Sequence, residues 1–305
     1  MLEITELPDG FADTALAIGK FDGVHLGHQQ LIHELVSHAE EHALAPVVVT
    51  FDRHPNHVLS PENVPLPIIG PTQKAKLIAE LGVEAMRTLE FDEELAHLTP
   101  EEFVVRHIVP LRAKLVLVGE GFRFGHKGSG SVETLSELGG RYGFRAQQVS
   151  HVMLEGQKIS STATRKLISE GNVLAASILL GRNHQTEGVV EHGRKLGRKL
   201  GYPTANLSRD SEGLLPADGV YAGYLYADGV RYEAAHSVGT NDSIEAVPRL
   251  LESHVIGRDD LDLYGKTVIC EYLDQVRPWA KFDSVDELTE QISRDVAGAK
   301  NILAG

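Results

Sequence analysis

Two histidines and three glycines within residues 16–31, LAIGKFDGVHLGHQQL, have the types and spacing of a phosphate-binding turn. The segment predicts an apolar strand end, a turn at Gly19 and Gly23, and a helix that opens with His25 and His28 at its mouth. Glycine lets the backbone approach a phosphate, and the first amides of a helix carry partial positive charge without intrahelical partners. A single histidine is more often a core or surface residue, but this pair shares one helical face beside glycines. The stretch therefore predicts an anion site.

A run of hydroxyl side chains at the start of a later predicted helix offers further phosphate ligands. Residues 159–165 read ISSTATR, and the arginine lies one turn along the same helical face as the hydroxyls. Hydroxyls, helix-end amides and a guanidinium together suit a polyphosphate, although the same hydroxyls are typical of an ordinary helix cap. The residues concerned are Ser160, Ser161, Thr162 and Arg165.

The glycine-rich loop GEGFRFGHKGSG, residues 119–130, follows a predicted buried strand over residues 113–119. Its cations Arg123, His126 and Lys127 suit contacts to an anion, although a plain turn has a similar composition. The first half of the chain thus carries three segments with phosphate-binding chemistry.

Strands and helices alternate through this first half, and its strands are apolar enough to be covered on both faces. The alternation predicts a doubly wound α/β domain, in which ligands bind at the carboxyl ends of parallel strands. Asp52, Arg53 and His54 follow the second strand and should lie at that edge. The predicted strands are 16–18, 45–51, 113–119 and 145–152, and the predicted helices are 29–41, 74–81, 100–109 and 131–140.

The second half contains a basic, glycine-rich stretch, residues 188–207, which includes the tetrapeptide PTAN. Thr204 and Asn206 alternate with Ala205, so both face one side of an extended segment and offer neutral oxygens to a hard cation such as Mg²⁺. Four cations precede them and are also typical of a solvated basic loop: Arg194, Lys195, Arg198 and Lys199.

Short strands separated by turns follow a change of pattern at Asn183, and they predict a small antiparallel barrel. A capping box at Ser284 predicts a final amphipathic helix over 285–299. We therefore expect two domains, residues 1–183 and 184–305. The predicted strands of the second are 186–190, 219–226, 230–237, 250–255 and 266–273.

Composition argues against several classes of function. Hydrophobic residues make up 42% of the 305 and charged residues 24%, as in globular proteins, and no apolar run reaches the ~20 residues of a membrane-spanning helix. A formal net charge of −14 argues against general binding to nucleic acid or an anionic membrane surface. The single cysteine, Cys270, excludes an internal disulfide and a cysteine metal cage, and its strand-like setting predicts a buried residue. No signal peptide is evident, so we expect a cytoplasmic protein.

Four motifs in order, GKFDGVHLGH, TFDRHP, GEGFRFG and ISSTATR, resemble the adenylyltransferase module of the bacterial bifunctional riboflavin kinase/FAD synthetase family. The resemblance implies a Rossmann-like nucleotidyltransferase domain in which FMN attacks the α-phosphate of ATP, giving FAD and pyrophosphate. It implies that His25 and His28 act on the ATP phosphates in the transition state, and Arg123 is expected to contact the flavin. The implied ATP-binding residues are Gly19, Phe21, Asp22, His25, His28, Ser160, Ser161, Thr162 and Arg165.

Motifs of the second half, among them GRKLGYPTANL, VGTN and LLESHV, are similar to the riboflavin kinase module of the same family, so the resemblance covers nearly the whole chain. It implies a β-barrel domain with a C-terminal helix that transfers the ATP γ-phosphate to the 5′-hydroxyl of riboflavin. Glu252 matches the general base, which this reaction needs because an alcohol must lose a proton as it attacks; a surface strand carboxylate is the alternative. The implied ATP-binding residues are Gly193, Lys199, Pro203, Thr204 and Asn206.

The same resemblance implies Mg²⁺ on Thr204 and Asn206, with Arg277 and Trp279 beside the flavin. Core packing is the alternative for Trp279. Asp259 and Asp260 are nearby acids that read more simply as loop charges. The expected partners are small molecules, namely riboflavin, FMN and ATP, with no nucleic acid or membrane; the oligomeric state, a homo-oligomer included, stays open.

Departures from the family pattern leave a second function open. Gly121 stands where the family usually has Asp or Asn, Arg53 stands where it has proline, and Asp242, Ser243 and Ile244 replace the usual residues after VGTN. Loss of a contact at Gly121 and Arg53 would leave a riboflavin kinase whose adenylyltransferase module is weakened or inactive, whereas the departures after VGTN would alter flavin or nucleotide affinity in the kinase module. A flavin-sensing protein without catalysis is a third reading, but sensing would not require a base such as Glu252.

Overall fold

The structure, a computed structural model, describes residues 1–192, 197, 200–240 and 249–305. Contacts divide the chain into two compact units: residues 1–67 with 74–160, and residues 68–73 with 161–305. The boundary between the two catalytic modules near Asn183 stays a prediction.

A six-stranded parallel sheet forms the centre of the first unit. The strands are β1 (Leu2–Glu3), β2 (Thr14–Ile18), β3 (Ala45–Phe51), β4 (Ala85–Leu89), β5 (Ala113–Gly119) and β6 (Arg145–Val149). Their order is β1-β4-β3-β2-β5-β6, and every neighbouring pair is parallel. All of β2 and all but the last residue of β3 are buried, as in strands covered on both faces, so the predicted α/β architecture is confirmed.

Helices connect these strands, and the first of them follows the glycine turn as predicted. They are α1 (Leu26–Glu41), α2 (Asn56–Leu59), α3 (Pro71–Glu80), α4 (Glu93–His97), α5 (Pro100–Phe103) and α6 (Val132–Tyr142). Short strands β7 (Met153–Leu154) and β8 (Gln157–Lys158) form a separate antiparallel pair.

Several elements of the first unit differ from the sequence prediction, and two of these differences have a clear physical reason. Strand β4, AMRTL, was not predicted, because Arg87 and Thr88 interrupt its apolar pattern. The helix expected over 100–109 is α5 followed by a π-helical segment, Val104–Ile108, and a 3₁₀ turn, Val109–Leu111. Pro110 lacks an N–H group and its ring crowds the preceding turn, which explains why regular α-helix does not continue to this point.

The second unit contains a closed antiparallel barrel, as the pattern of short strands predicted. Its strands are β9 (His184–Glu191), β10 (Ala205–Leu207), β11 (Gly219–Ala227), β12 (Val230–Gly239), β13 (Leu250–Val255) and β14 (Thr267–Pro278). They follow the order β10-β13-β12-β11-β14-β9 around the barrel. Helices α7 (Ser161–Ser169), α8 (Val173–Leu180) and α9 (Val285–Leu303) belong to the same unit.

Helix α9 begins at its predicted cap and runs four residues further than expected. The Ser284 hydroxyl accepts a hydrogen bond from the Glu287 N–H group at 3.1 Å. Ala299 of this helix is fully buried in a cluster with Ala222 of β11 and Ala235 of β12. Cys270 is fully buried in β14, as its strand-like setting predicted.

Candidate active sites

The turn between β2 and α1 has a backbone that few sequences adopt. Gly19 donates its N–H group to the carbonyl of Val49 at 3.1 Å, which ties the end of β2 to β3. Phe21 and Val24 both have positive φ, 50° and 40°, as does Gly23 at 84°. A Cβ at Gly19 would lie 3.2 Å from the buried ring of Phe21, so any other residue there would press on that ring.

His25 and His28 lie together at the start of α1, as the sequence predicted. His25 caps the helix: its Nδ1 accepts the N–H group of His28 at 3.4 Å. The two imidazole rings stack with centroids 3.7 Å apart and an interplanar angle of 16°, and Phe21 lies 5.3 Å from the ring of His28. The helix mouth therefore presents two rings held in fixed orientation.

The Nδ1 atom of His28 is buried and has no hydrogen-bond partner among the described residues. In the part of the chain that the structure describes, it is the one buried side-chain polar atom without such a partner. Burial lowers the pKa of His28 well below its usual value, and the charges of His25, Lys20 and Lys74 add to this effect. A buried polar atom without a partner is costly. The ring is thus neutral near pH 7 and positioned for a ligand.

Two lysines lie near the carboxyl ends of β2 and β3. The Lys20 Nζ atom is 3.2 Å from Nε2 of His54, and the Lys20 carbonyl accepts the hydroxyl of Thr50 at 3.2 Å. Lys74, from α3, donates to the carbonyl of Phe51 at 3.2 Å. Sequence reasoning missed both lysines. Lys20 stands inside the first motif and could have been found there, whereas Lys74 is distant in sequence and carries no local signal.

Asp52 and Arg53 form an ion pair with an N–O distance of 2.6 Å, and Asp52 also accepts the N–H group of Phe91 at 2.9 Å. Burial works against ionisation of Asp52, but the bonds from Arg53 and Phe91 lower its pKa overall. Arg53 also lies 3.7 Å from Glu90. The arginine that stands in place of the family's proline is therefore held by carboxylates at this edge of the sheet.

Gly121 has φ of 78°, in the left-handed region, and a Cβ there would meet nothing within 4 Å. Glycine, asparagine and aspartate are the residues that adopt this region most readily. The departure from the family pattern therefore keeps the backbone conformation and removes only the side chain.

The rest of this loop packs against neighbouring helices. Gly125 has φ of 71°, and a Cβ would lie 2.8 Å from the backbone nitrogen of Pro100, so only glycine fits. The ring of His126 stacks on that of His97 with centroids 5.2 Å apart. Arg123 and Lys127 are exposed. Exposure leaves the expected flavin contact of Arg123 as a prediction.

The ISSTATR segment is divided between the units. Ser160 ends the first unit, whereas Ser161, Thr162 and Arg165 lie on α7 of the second. Arg165 follows the two hydroxyl residues by three and four positions, so it shares their helical face as expected. Closure of these residues over ATP phosphates stays a prediction.

The barrel brings together the three oxygen-bearing residues that the sequence singled out. Asn206 of β10 pairs directly with Glu252 of β13, and Ala205 pairs with Ser253. The Thr204 hydroxyl donates to Oε2 of Glu252 at 3.4 Å, and the Asn206 amide donates to the Thr204 carbonyl at 3.4 Å. Residues 48 positions apart in sequence thus form one cluster on the outer face of the barrel.

Glu252 is partly buried, between the inward-facing side chains of Leu251 and Ser253. Burial raises the pKa of Glu252, and the hydrogen bond from Thr204 opposes part of the rise. A carboxylate with a raised pKa is a better proton acceptor than an exposed one. This arrangement favours a base over the alternative of a surface strand carboxylate.

A cavity adjoins Thr204, but its strand residues Ala205, Ser253 and Val255 alternate with Asn206 and Glu252 and so face the opposite side of the barrel wall. It combines an apolar wall with polar residues of the loop after β13. Arg258 forms an ion pair with Asp260 at 2.6 Å, as expected for loop charges. The lining residues include Val190, Pro203, Thr204, Ala205, Val255, Arg258, Asp259, Leu261 and Tyr264.

Arg277 and Trp279, the expected flavin neighbours, have different environments. Arg277 forms two 2.8 Å hydrogen bonds with the buried carboxylate of Asp295 on α9 and also donates to the carbonyl of Pro278. Trp279 is 44% exposed, so core packing, the alternative for this residue, is wrong. A Cβ on Gly239 would lie 3.2 Å from its indole ring.

Several predicted positions lie outside the described residues. They are the ATP-binding candidates Gly193 and Lys199, the cations Arg194, Lys195 and Arg198, and the departures Asp242, Ser243 and Ile244.

A group with metal-ligand spacing occurs at the end of α1. Among the described residues, ligand atoms of His38, Glu41 and His42 lie within 4.8 Å of one another. Glu41 is within 4.0 Å of both rings, and Nδ1 of His42 is 3.0 Å from the His38 carbonyl. The side chains are largely exposed, and ordinary helix-end contacts account for the arrangement.

Two family models match the chain in consecutive segments. The FAD synthetase model matches residues 8–163, and the riboflavin kinase model matches residues 180–303. Residues 164–179 of the second unit lie between the two matches.

Curated relatives match over almost the whole length. The chain is 34% identical over 288 residues to the bifunctional riboflavin kinase/FMN adenylyltransferase of Bacillus subtilis, covering 93% of this chain and 90% of that protein. It is 33% identical over 290 residues to the protein of the same description from Escherichia coli K12, covering 94% and 92%.

A crystal structure described as a macrolide-efflux protein from Streptococcus pneumoniae is similar over 98% of both chains, with a TM-score of 0.87 and 34% identity. Within the part of the chain that the structure describes, no helix is long and apolar enough to cross a bilayer.

Proposed function

Because the chain belongs to the family of bifunctional riboflavin kinases/FMN adenylyltransferases, we infer that two separate groups of residues carry its two reactions. It phosphorylates riboflavin to FMN and adenylylates FMN to FAD, with ATP as the second substrate of each reaction. Both family domains are present, which favours the bifunctional enzyme over a kinase with an inactive first module and over a sensor.

We assign FAD formation to the site at the N-terminus of α1. The nucleophile is the phosphate of FMN, which is already an anion at neutral pH, so the site needs alignment and charge stabilisation more than a base. Gly19, Phe21 and Asp22 shape the turn, and His25 and His28 face the ATP phosphates. Ser160, Ser161, Thr162 and Arg165 are the proposed ligands of the phosphate tail.

The observation that carries this assignment is the buried, unpartnered Nδ1 of His28 beside the lysines of the strand ends. The bond from the FMN phosphate oxygen to the α-phosphorus forms as the bond to pyrophosphate breaks. A neutral imidazole and a helix N-terminus stabilise the negative charge that develops there.

We assign FMN formation to the cluster of Thr204, Asn206 and Glu252. The 5′-hydroxyl of riboflavin loses its proton to the Glu252 carboxylate as its oxygen bonds to the γ-phosphorus, and ADP leaves. The hydroxyl and amide oxygens of Thr204 and Asn206, next to a carboxylate, suit Mg²⁺. The ion would neutralise phosphate charge when bound.

Several further residues complete the proposal. Pro203, Gly193 and Lys199 are proposed at the kinase nucleotide, and Arg123, Arg277 and Trp279 at the flavins. A cytoplasmic location is proposed because both reactions consume ATP.

The test is a product assay on two substrate pairs, ATP with riboflavin and ATP with FMN, with products separated by chromatography. We expect His28→Ala to lower FAD formation from FMN at least 100-fold without changing FMN formation, and Glu252→Ala to do the reverse. His33→Ala and Glu233→Ala are matched controls, because both residues are exposed on the same helix or the neighbouring strand.

Loss of both reactions in either variant, in a protein shown by circular dichroism to remain folded, would contradict the assignment of residues to reactions. Equal activity of His28→Ala and His33→Ala would contradict the first site alone.

A further inference from the structure

Lys74 is a partly buried cation whose position the local sequence does not explain. It is the fourth residue of α3, and its Nζ donates to the carbonyl of Phe51, the last residue of β3, at 3.2 Å. Its neighbour Lys76, on the same helix, is exposed. The helix thus directs one lysine to the carboxyl end of a central strand and the other to solvent.

The ammonium of Lys74 forms no ion pair with the described residues, although it carries three donors and only one is used, by Phe51. Asp22 and Asp52 are near enough for their charges to act on it, but burial still lowers the pKa of Lys74. Charged groups removed from water are normally paired in a folded protein. Two N–H groups of Lys74 therefore have no hydrogen-bond partner among the described residues and can donate to a bound anion.

A second, independent observation at the same place points to the same ligand. His28, on which the charge of Lys74 acts, keeps a buried Nδ1 without a partner among the described residues. Both groups lie where β2 and β3 end, the edge at which open α/β sheets bind ligands. One bound phosphate would supply a partner for the buried ring atom and an anion for the ammonium.

We propose that Lys74 is a substrate-binding residue of the adenylyltransferase site, with its ammonium donating to a phosphate of the bound nucleotide. The inference rests on the proposed assignment of FAD formation to the His28 site. Lys74 would add a positive charge to this site from helix α3. It lies 46 positions from His28 in the chain and belongs to none of the motifs that the sequence singled out. The phosphate belongs to ATP or to FMN, and kinetics with each substrate varied distinguishes them.

The experiment compares Lys74→Met, Lys74→Arg and Lys76→Met in the full-length enzyme. Lys74→Met should lower kcat/KM for FAD formation about 10- to 100-fold, the size of a lost hydrogen bond to a charged group. A rise confined to the KM for ATP assigns the contact to ATP, and a rise confined to the KM for FMN assigns it to FMN. Lys74→Arg should recover part of the loss because it keeps the charge, and Lys76→Met should match the wild type.

FMN formation from riboflavin is the internal control, since it requires a folded chain but uses the other site. The proposal is overturned if Lys74→Met stays within twofold of Lys76→Met in FAD formation, or if it lowers both reactions equally. The same measurements distinguish an error in the role of Lys74 from an error in the location of the site. If His28→Ala abolishes FAD formation while Lys74→Met does not, only Lys74 was misassigned. If neither variant has an effect, the proposed site itself is wrong.

Discussion

The two units treat the same kinds of buried polar side chain differently. In the barrel, His236 is fully buried with Nδ1 2.9 Å from the Ser253 hydroxyl and Nε2 3.1 Å from the Glu271 carbonyl. In the first unit, His28 keeps an unpartnered Nδ1. Burial lowers the pKa of both rings, so the pKa alone does not separate a structural histidine from a ligand-binding one. The hydrogen-bond partners do.

Cations show the same contrast. Arg277 of the second unit is held by both oxygens of Asp295, whereas Lys74 of the first unit has only a carbonyl. Satisfied groups stabilise a fold, and unsatisfied ones indicate where a ligand supplies the missing partner. In our assignment, Lys74 of the first unit binds an anion, while Glu252 of the second unit accepts a proton from an alcohol.

The largest expected effect concerns the structural histidines of the barrel. The pKa of His184 and of His236 is lowered by burial from 6.5 to about 4. Below pH 6.5 these two histidines bind protons in the unfolded chain but not in the folded chain. The free energy of unfolding therefore falls as the pH drops from 6.5 toward 4. By pH 5 the loss is about 2 kcal/mol for each ring, about 4 kcal/mol together. Urea unfolding at pH 7 and pH 5, followed by fluorescence of the only tryptophan, Trp279, measures it.

His236→Gln provides the matched variant for this experiment, because it keeps a polar group and removes the titration. It should reduce the pH dependence by about half whatever its effect on stability at pH 7. An unchanged pH dependence in this variant would show that His236 does not titrate on unfolding.

The next effect tests the satisfied cation. Asp295→Asn leaves the partly buried Arg277 without its carboxylate, and we expect the free energy of unfolding of the second unit to fall by about 3 kcal/mol. Glu290→Gln is the control, since Glu290 pairs with Arg294 at the surface and such pairs contribute under about 0.5 kcal/mol. Similar losses in both variants, measured by urea unfolding, would show that burial of the pair does not matter.

The third prediction separates the sites by the pH dependence of their reactions. Burial raises the pKa of Glu252, and only its ionised form accepts a proton. Below that raised pKa, kcat/KM for FMN formation should fall about tenfold per pH unit. FAD formation, which lacks a carboxylate base in our assignment, should not share this acid limb. A common acid limb that persists in Glu252→Gln would contradict the distinction.

The smallest expected effect concerns the departure at Gly121. Gly121→Asn restores a residue type usual in the family, and its φ of 78° accommodates asparagine. We expect FAD formation to rise by a factor of about three at most, because one exposed neutral hydrogen bond contributes little. Steady-state rates with FMN and ATP measure this. A rise beyond tenfold would show that the natural chain is a weakened adenylyltransferase.

Much of the fold could be predicted from local patterns. The continuous apolar run of β3 and the turn-separated strands of the second half predicted a parallel sheet and a barrel, and both are confirmed. Strand β4 was missed because Arg87 and Thr88 hide its burial. The change of helix type after Phe103 was missed because backbone hydrogen bonding near Pro110 leaves no periodic signal.

The sites show the same limit at the level of residues. Motifs brought His25, His28, Thr204, Asn206 and Glu252 forward, and the structure brings these side chains together in two clusters. Whether a buried polar side chain has a hydrogen-bond partner cannot be read from a local sequence pattern, because the partner belongs to an element that is distant in sequence.

The sequence by itself determined the family and the two reactions, because the motifs that identify them are continuous in the chain. It also determined the elements that carry these motifs, because turn glycines, helix caps and apolar periodicity act between residues that are close in sequence. Only the tertiary structure decided that Arg277 is engaged by Asp295, that Trp279 is exposed, and that Lys74 reaches the end of β3. Burial and pairing depend on which elements pack together. They fix the pKa and the availability of each charged group, and hence its chemistry.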